Sequence, residues 1–441
     1  MALKRILGVG DGLAVTVGIV IGAGILRTPG LIAGYLGDPW LILAVWTLGG
    51  VVAGLSTIVL AEMAAALPQA GGKYVYAREA WGPLMGFVAG WSELLVTRGF
   101  SGATKAIIIA EYVRALTGVG SITVMAAMVV IAFFFLHLSG LRVSALFQRV
   151  TTAVKVGVIF VIAAAGLYAG NMAGFTAASA PASAASFTWL GFALAYQSVS
   201  FAYYGWEDAA KMAEEVANPG RALPRILLGG AIAVAALYLL INISFLAALT
   251  PAQMAGSPLV ARDATAAVFG NAAGTVVVIA SLLILISSIN VNFLGLPRVA
   301  YGLSKDGLAF KRFSEVDSRS TPRIALYFVA GWIGVLAVTG AFQLLINFMM
   351  MVAISVDTMV LLSWFRLRAT QPNLARPFKV PFGPVLPVVT IVLYIAILAI
   401  MVGTQPMLAV GGGSMILGLI VGGLVTIART GARPVGSAVR P

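Results

Sequence analysis

The sequence predicts an all-α integral membrane protein of about twelve spans, and three observations predict it. Of its 441 residues, 60% are hydrophobic and only 10% charged, which leaves more apolar surface than a water-soluble domain can bury. Apolar runs of about 20 residues recur along the chain, the length an α-helix needs to cross a bilayer. The basic residues gather in the connections on one side, as the positive-inside rule requires.

That asymmetry accounts for the charge. A formal net charge of +13 on a soluble protein would suit nucleic acid, a partner not expected here. With both termini on the cytoplasmic side, Arg27, Arg114 and Arg262 fall outside, and Arg98, Lys105 and Lys155 fall within spans. The remaining Lys and Arg face the cytoplasm and orient the chain in the membrane. Cysteine is absent, which excludes disulfides and thiolate chemistry. Residues 1–12 run straight into a full-length span, so no cleavable signal is expected. The expected location is the cell membrane, in multi-pass form; nothing in the sequence fixes an oligomeric state.

Taken in order, spans are expected near 13–36, 41–66, 83–115, 121–139, 147–169, 187–213, 224–248, 270–303, 324–340, 343–365, 384–402 and 408–428. The charged cytoplasmic connections are 68–83, 140–149, 217–224, 304–322 and 366–384. The external ones are the Gly118 turn, the Ala/Ser-rich stretch 171–186, 250–270, Gly340 and 403–413.

The first span carries Gly22-Ala23-Gly24-Ile25 at its middle. Two glycines one residue apart allow a membrane helix to unwind and bare its backbone, which is tolerated at that depth only beside protein or a watery cavity. A second half-helix starting near Ile25 would offer N–H groups around Ala23–Leu26 and a positive dipole end to a carboxylate. The alternative, that both glycines serve only close helix packing, stays open from this stretch alone. A second interruption at Tyr203-Tyr204-Gly205-Trp206 shifts the balance, because paired breaks point to a transporter built from inverted repeats. The repeats would cover 1–170 and 171–366, with 367–441 holding the last two spans and the tail. Carbonyls around Phe201–Tyr203 would then accept from the ammonium of a zwitterionic substrate.

The third span holds Glu93, Arg98, Lys105 and Glu111. Charges at that depth are paired or face a cavity, and Glu207, Asp208 and Asp357 are candidate partners. A structural ion pair competes with a role in binding an acidic substrate. His137 is the single histidine and reads as packing, since it has no companions for a metal site. No metal and no cofactor is expected. No nucleophile and base set is recognisable, so the chain is not expected to be an enzyme. A channel or passive membrane-complex subunit is the rival class, but a filter would need symmetry-related copies or a ring of ligands.

The small-residue break in the first span resembles that of the amino-acid/polyamine/organocation superfamily. The likeness continues through Ala61-Glu62, Pro68-Gln69-Ala70-Gly71-Gly72-Lys73-Tyr74, Phe201-Ala202-Tyr203-Tyr204-Gly205-Trp206, Glu214-Glu215 with Asn218-Pro219 and Pro224-Arg225, and Pro297-Arg298-Val299 through Lys305-Asp306-Gly307-Leu308. The sixth-span block most resembles the L-type amino-acid transporter branch. The resemblance implies a LeuT-like fold of ten core helices plus two that moves amino acids by alternating access. It implies a substrate site from Gly22, Ala23, Gly24, Ile25, Phe201, Tyr203, Tyr204 and Trp206, with Phe201 as a gate and Trp206 as a cavity wall.

Tyr204 stands where several members of that branch have glycine, so a ring would fill part of the side-chain pocket and favour small neutral L-amino acids. Lys105 also departs from the small or apolar residue expected, which leaves an acidic amino acid open; a polyamine or organic cation, carried by the same fold, is a further alternative. Ser287 and Ser288 resemble a sodium site of this fold, but relatives without sodium coupling carry a lysine at the position of Lys155. The expectation is therefore sodium-independent exchange or proton-linked uptake, with Lys155 linking free carbonyls near Val20–Gly22 to the hydroxyls of Ser287 and Ser288.

Overall fold

The computed structural model describes residues 8–69, 71–176, 188–257, 259–317, 321–339 and 342–430, and among them every regular element is helical. The first span is a pair of helices, α1 (Val9–Val20) and α2 (Ala23–Leu36), followed by the long α3 (Pro39–Ala66). A short α4 (Lys73–Trp81) leads to α5 (Pro83–Trp91), which passes through a π-helical stretch, Ser92–Thr97, into α6 (Arg98–Thr117). Next come α7 (Ile122–Leu138), α8 (Leu141–Ala169) and the single turn α9 (Ala173–Thr176). The sixth span begins as α10 (Trp189–Tyr203) and continues as a 3-10 stretch, Asp208–Glu215, before α11 (Pro219–Ala248). Two short helices, α12 (Pro251–Ala255) and α13 (Val260–Phe269), precede α14 (Asn271–Lys305). The chain finishes with α15 (Arg323–Val338), α16 (Phe342–Thr370), α17 (Val385–Thr404) and α18 (Pro406–Thr430).

By length and composition, eight helical segments can each cross a membrane: α1–α2, α3, α8, α11, α14, α16, α17 and α18. The segments Pro83–Thr117 and Ile122–Leu138 pass the same test together, with a 119° turn between them. The shorter α10 and α15 occupy the positions of the sixth and ninth expected spans. The burial pattern agrees with a bilayer as solvent: Phe135, Val161, Ile232 and Leu417 point outward, whereas Glu93, Arg98, Lys105 and Lys155 are buried. The chain is a multi-pass all-α membrane protein.

Three boundaries differ from expectation. The sixth span breaks at Tyr203, where the interruption is expected, but its continuation, Asp208–Glu215, is 3-10 rather than α-helical. The fifth begins at Leu141 rather than 147, because Gln148 and Arg149 in its first turns hide a helix from a hydropathy reading. The connection 68–83 contains α4, whose Lys73, Tyr74, Val75 and Tyr76 are buried, so the charge at Lys73 belongs to the interior rather than to an exposed loop. Most of the Ala/Ser-rich external stretch, Ala70, Gly340 and both termini lie outside the described residues.

Candidate substrate site

The break in the first span falls at Ile21 and Gly22, two residues earlier than expected. Ile21 takes extended backbone angles, φ −69 and ψ 100, after its N–H has donated to Val17 O at 3.1 Å. A helix that ends leaves its last four carbonyls without N–H partners. Here each is taken by a side chain. Lys155 on α8 donates its ammonium to Gly18 O, and to Ile21 O at 2.9 Å. Ser288 on α14 donates to Ile19 O at 3.3 Å. The Tyr238 hydroxyl on α11 lies 2.7 Å from Val20 O. In an apolar setting each unmet carbonyl costs on the order of 1–3 kcal/mol, so these donors hold the break open.

The same Tyr238 hydroxyl lies 3.1 Å from Ala202 O in the last turn of α10, so it serves one break or the other and ties the two together. The breaks also touch directly. A Cβ on Gly24 would overlap the backbone of Ala202, and one on Gly22 would overlap the Ser288 hydroxyl. Packing and backbone exposure are thus combined in these glycines, not alternatives. At Gly205 the chain takes φ +126 and turns away from the α10 axis, a conformation that favours glycine. At the start of α2, the N-cap Gly22 has no side chain to bond the first-turn N–H groups of Ala23–Leu26.

Between these ends lies a cavity whose wall includes Gly22, Gly24, Ser101, Lys105, Phe201, Tyr204, Ser288 and Met349. Of the residues expected to bind substrate, Gly22, Gly24, Phe201 and Tyr204 meet there; Ile25 is fully buried and does not line it. Only the backbone of Ala23 is described. Tyr203 and Trp206 face a neighbouring cavity between α3, α10, α16 and α17, with Tyr204 in the wall of both. Tyr203 reaches away from the breaks, its hydroxyl donating to Trp46 O at 3.2 Å.

The three residues expected to serve coupling, Lys155, Ser287 and Ser288, separate. Lys155 meets carbonyls only, and not the serine hydroxyls expected as its partners. Ser287 is turned about 100° around α14 from Ser288, and its oxygen accepts from Thr151 at 3.0 Å and from Gln148 at 3.3 Å instead.

Behind Tyr204 lies a buried ion-pair cluster. Arg98 pairs with Glu93 at 3.1 Å, Glu207 at 3.3 Å and Asp208 at 2.5 Å. Lys73 pairs with Glu207 at 2.8 Å and Asp357 at 2.7 Å. Lys211 pairs with Glu93, and with Asp208 at 2.6 Å. The Tyr204 ring has the Lys73 ammonium and the Arg98 guanidinium each 4.8 Å from its centroid. Glu207 and Asp208 are thus Arg98 partners as expected, but Asp357 is not. Lys105 has no carboxylate partner among the described residues; it donates to Asn292 Oδ1 at 3.0 Å and Ser288 O at 3.4 Å. His137 packs between Phe133 and Phe293, with Nδ1 2.8 Å from Phe133 O.

The sequence blocks that carry the resemblance also meet in space. Glu215 accepts from Arg298 at 3.0 Å and Asp306 from Tyr74 at 3.1 Å, while Arg368 at 2.9 Å from Glu62, and Arg78 beside Asp306, tie the blocks to residues outside them. Tyr238, Lys73 and Lys211 escaped sequence reasoning as site residues. A single tyrosine in an apolar span has no pattern to mark it, and the lysines sit in stretches that read as loop or interface.

Apolar spans interrupted in pairs around a buried polar cavity define a membrane transporter. A family model described as amino acid permease matches residues 7–425. The chain belongs to that amino acid permease family, and so to the amino-acid transporters. It is 27% identical over 396 residues to the serine/threonine exchanger SteT of Bacillus subtilis (strain 168), covering 88% of this chain and 89% of that one. It is 27% identical over 394 residues to the human b(0,+)-type amino acid transporter 1, covering 86% and 79%. It is 26% identical over 433 residues to the human Asc-type amino acid transporter 1, covering 95% and 81%.

Proposed function

We propose that the protein exchanges small neutral L-amino acids across the cell membrane by alternating access, without sodium, and with both termini in the cytoplasm. In this reading residues 1–170 and 171–366 are the two inverted repeats and 367–441 lies outside them. The substrate carboxylate sits at the first turn of α2 and its ammonium near the carbonyl end of α10, where opposed dipole ends suit a zwitterion. Tyr204, held between two cations, limits the room for a side chain. The ion-pair cluster behind it closes the cytoplasmic side.

The observation that carries the reading is the capping of the α1 carbonyls. Gly18, Ile19, Val20 and Ile21 are each met by an amine or hydroxyl donor beside the cavity. A cation would have to displace those donors, and the Lys155 ammonium would repel it. Exchange as the mode, and a small hydroxylated or neutral substrate, also draw support from the likeness to the serine/threonine exchanger. The test is counterflow in proteoliposomes loaded with unlabelled amino acid, with choline in place of sodium. Labelled L-serine, L-threonine or L-alanine should accumulate; no accumulation across an L-amino-acid panel, or an absolute need for sodium, overturns the reading.

A further inference from the structure

Among the described residues, Lys105 is the one charged side chain in the cavity wall. It is buried, 4% exposed, in the middle of α6. The four nearby carboxylates, Glu93, Glu207, Asp208 and Asp357, are engaged by Lys73, Arg98 and Lys211. Lys105 instead has two neutral acceptors, Asn292 Oδ1 and the Ser288 carbonyl. Asn292 is fixed in that orientation because its amide nitrogen donates to Arg98 O at 2.9 Å, an oxygen that can only accept. An ammonium carries three N–H donors. Two are spent on these acceptors, and the third is left for the cavity. A buried cation satisfied only by neutral groups is costly unless an anion completes its shell.

The geometry around Lys105 defines where an anion would complete that shell. Lys105 bonds the carbonyl of Ser288, and the hydroxyl of the same Ser288 approaches Gly22, the residue before the first turn of α2. The ammonium and the first turn of α2 therefore lie on either side of Ser288 and border the same cavity. We propose that Lys105 is a ligand of the substrate's α-carboxylate, sharing it with the α2 amides, so that the site demands a free carboxylate and rejects amines that lack one. The proposal rests on the function proposed above and names the group that the site reads. It excludes polyamines and other organic cations as substrates, because they would bring positive charge against Lys105.

The probes are L-serine, L-serinamide and ethanolamine, which share the hydroxymethyl and amine but differ in the carboxylate, and L-aspartate. Binding is read as a concentration-dependent rise in melting temperature of the purified protein in detergent. Wild type should bind L-serine and bind serinamide and ethanolamine at least about tenfold more weakly. Lys105→Met should weaken L-serine about tenfold to a hundredfold, the loss expected for one charge-assisted hydrogen bond. It should bind the two amines at least as well as wild type does, because the repelling charge is gone, and Lys105→Arg should restore the preference for L-serine. Wild type that binds serinamide or ethanolamine as well as L-serine overturns the proposal without any variant, which keeps it decidable if Lys105→Met does not fold. So does Lys105→Met with its preference intact. L-aspartate bound more than tenfold tighter than L-serine, with only that advantage lost in Lys105→Met, would assign the ammonium to a side-chain carboxylate and overturn it as well. If no L-amino acid shifts wild type while an amine does, both this proposal and the proposed function fall; an intact L-serine response with no effect of Lys105 removes this proposal alone.

Discussion

The Lys155 ammonium donates to the Ile21 carbonyl at 2.9 Å across the interface between α8 and the broken first span. With its second bond to Gly18 O, it bridges the last turn of α1 and the break itself. Lys155→Ala leaves both carbonyls buried and unmet, at on the order of 1–3 kcal/mol each. Exchange should fall by about tenfold or more, and equally in sodium and in choline. Initial rates in paired proteoliposome preparations check this, and rescue of Lys155→Ala by sodium would mean that the ion and the lysine are interchangeable.

Gly24 is in van der Waals conflict with any added side chain because Ala202 of α10 lies against it. Overpacking of this kind costs about 1–3 kcal/mol. Gly24→Ala should therefore lower the melting temperature as well as weaken binding, since one position serves both packing and site. Thermal unfolding in detergent, with and without L-serine, separates the two effects.

Tyr204 stands in the wall of both cavities. Tyr204→Gly should join them and extend the substrate range toward leucine and phenylalanine, while small substrates lose about 1–3 kcal/mol of contact. Competition of a residue panel against labelled L-serine reads the range. A panel identical to wild type would show that the ring does not bound the substrate.

Lys73 neutralises Glu207 and Asp357 in a setting where all three are buried. Removing one partner of a buried pair costs about 3–5 kcal/mol, so Lys73→Met should be strongly destabilised. Asp357→Asn in the same chain should recover part of the loss, and a double-mutant cycle on melting temperature measures the coupling.

Much of this architecture was legible in the sequence because membrane spans announce themselves by length and hydropathy, and both breaks by glycine within an apolar run. The register of the first break was not. Gly22-Ala23-Gly24 marks where a helix can open, but the donors that fix it at Ile21, Lys155, Ser288 and Tyr238, come from three other helices. Lys155 was visible as an ammonium in an apolar span, and its partner Ile21 O lies in the carbonyl stretch that the family resemblance implied, whereas Gly18 O lies before it. That Ser287 faces α8 while Ser288 faces α1 depends on the rotation of α14, which adjacent identical residues do not encode. Tyr238 was invisible for the same reason. Glu207 and Asp208 were anticipated as partners of Arg98, but Lys73 and Lys211 were hidden by local polarity that mimics a loop.

The sequence contains no cysteine, so a single introduced thiol reports one position. Ser101 lies in the cavity wall between the two breaks, and the most direct test of a substrate site there is the labelling rate of Ser101→Cys by a small methanethiosulfonate reagent. The account predicts that saturating L-serine slows labelling about tenfold or more and that D-serine does not. A labelling rate unaffected by L-serine, in a Ser101→Cys protein that still transports it, would place the substrate elsewhere and contradict the account.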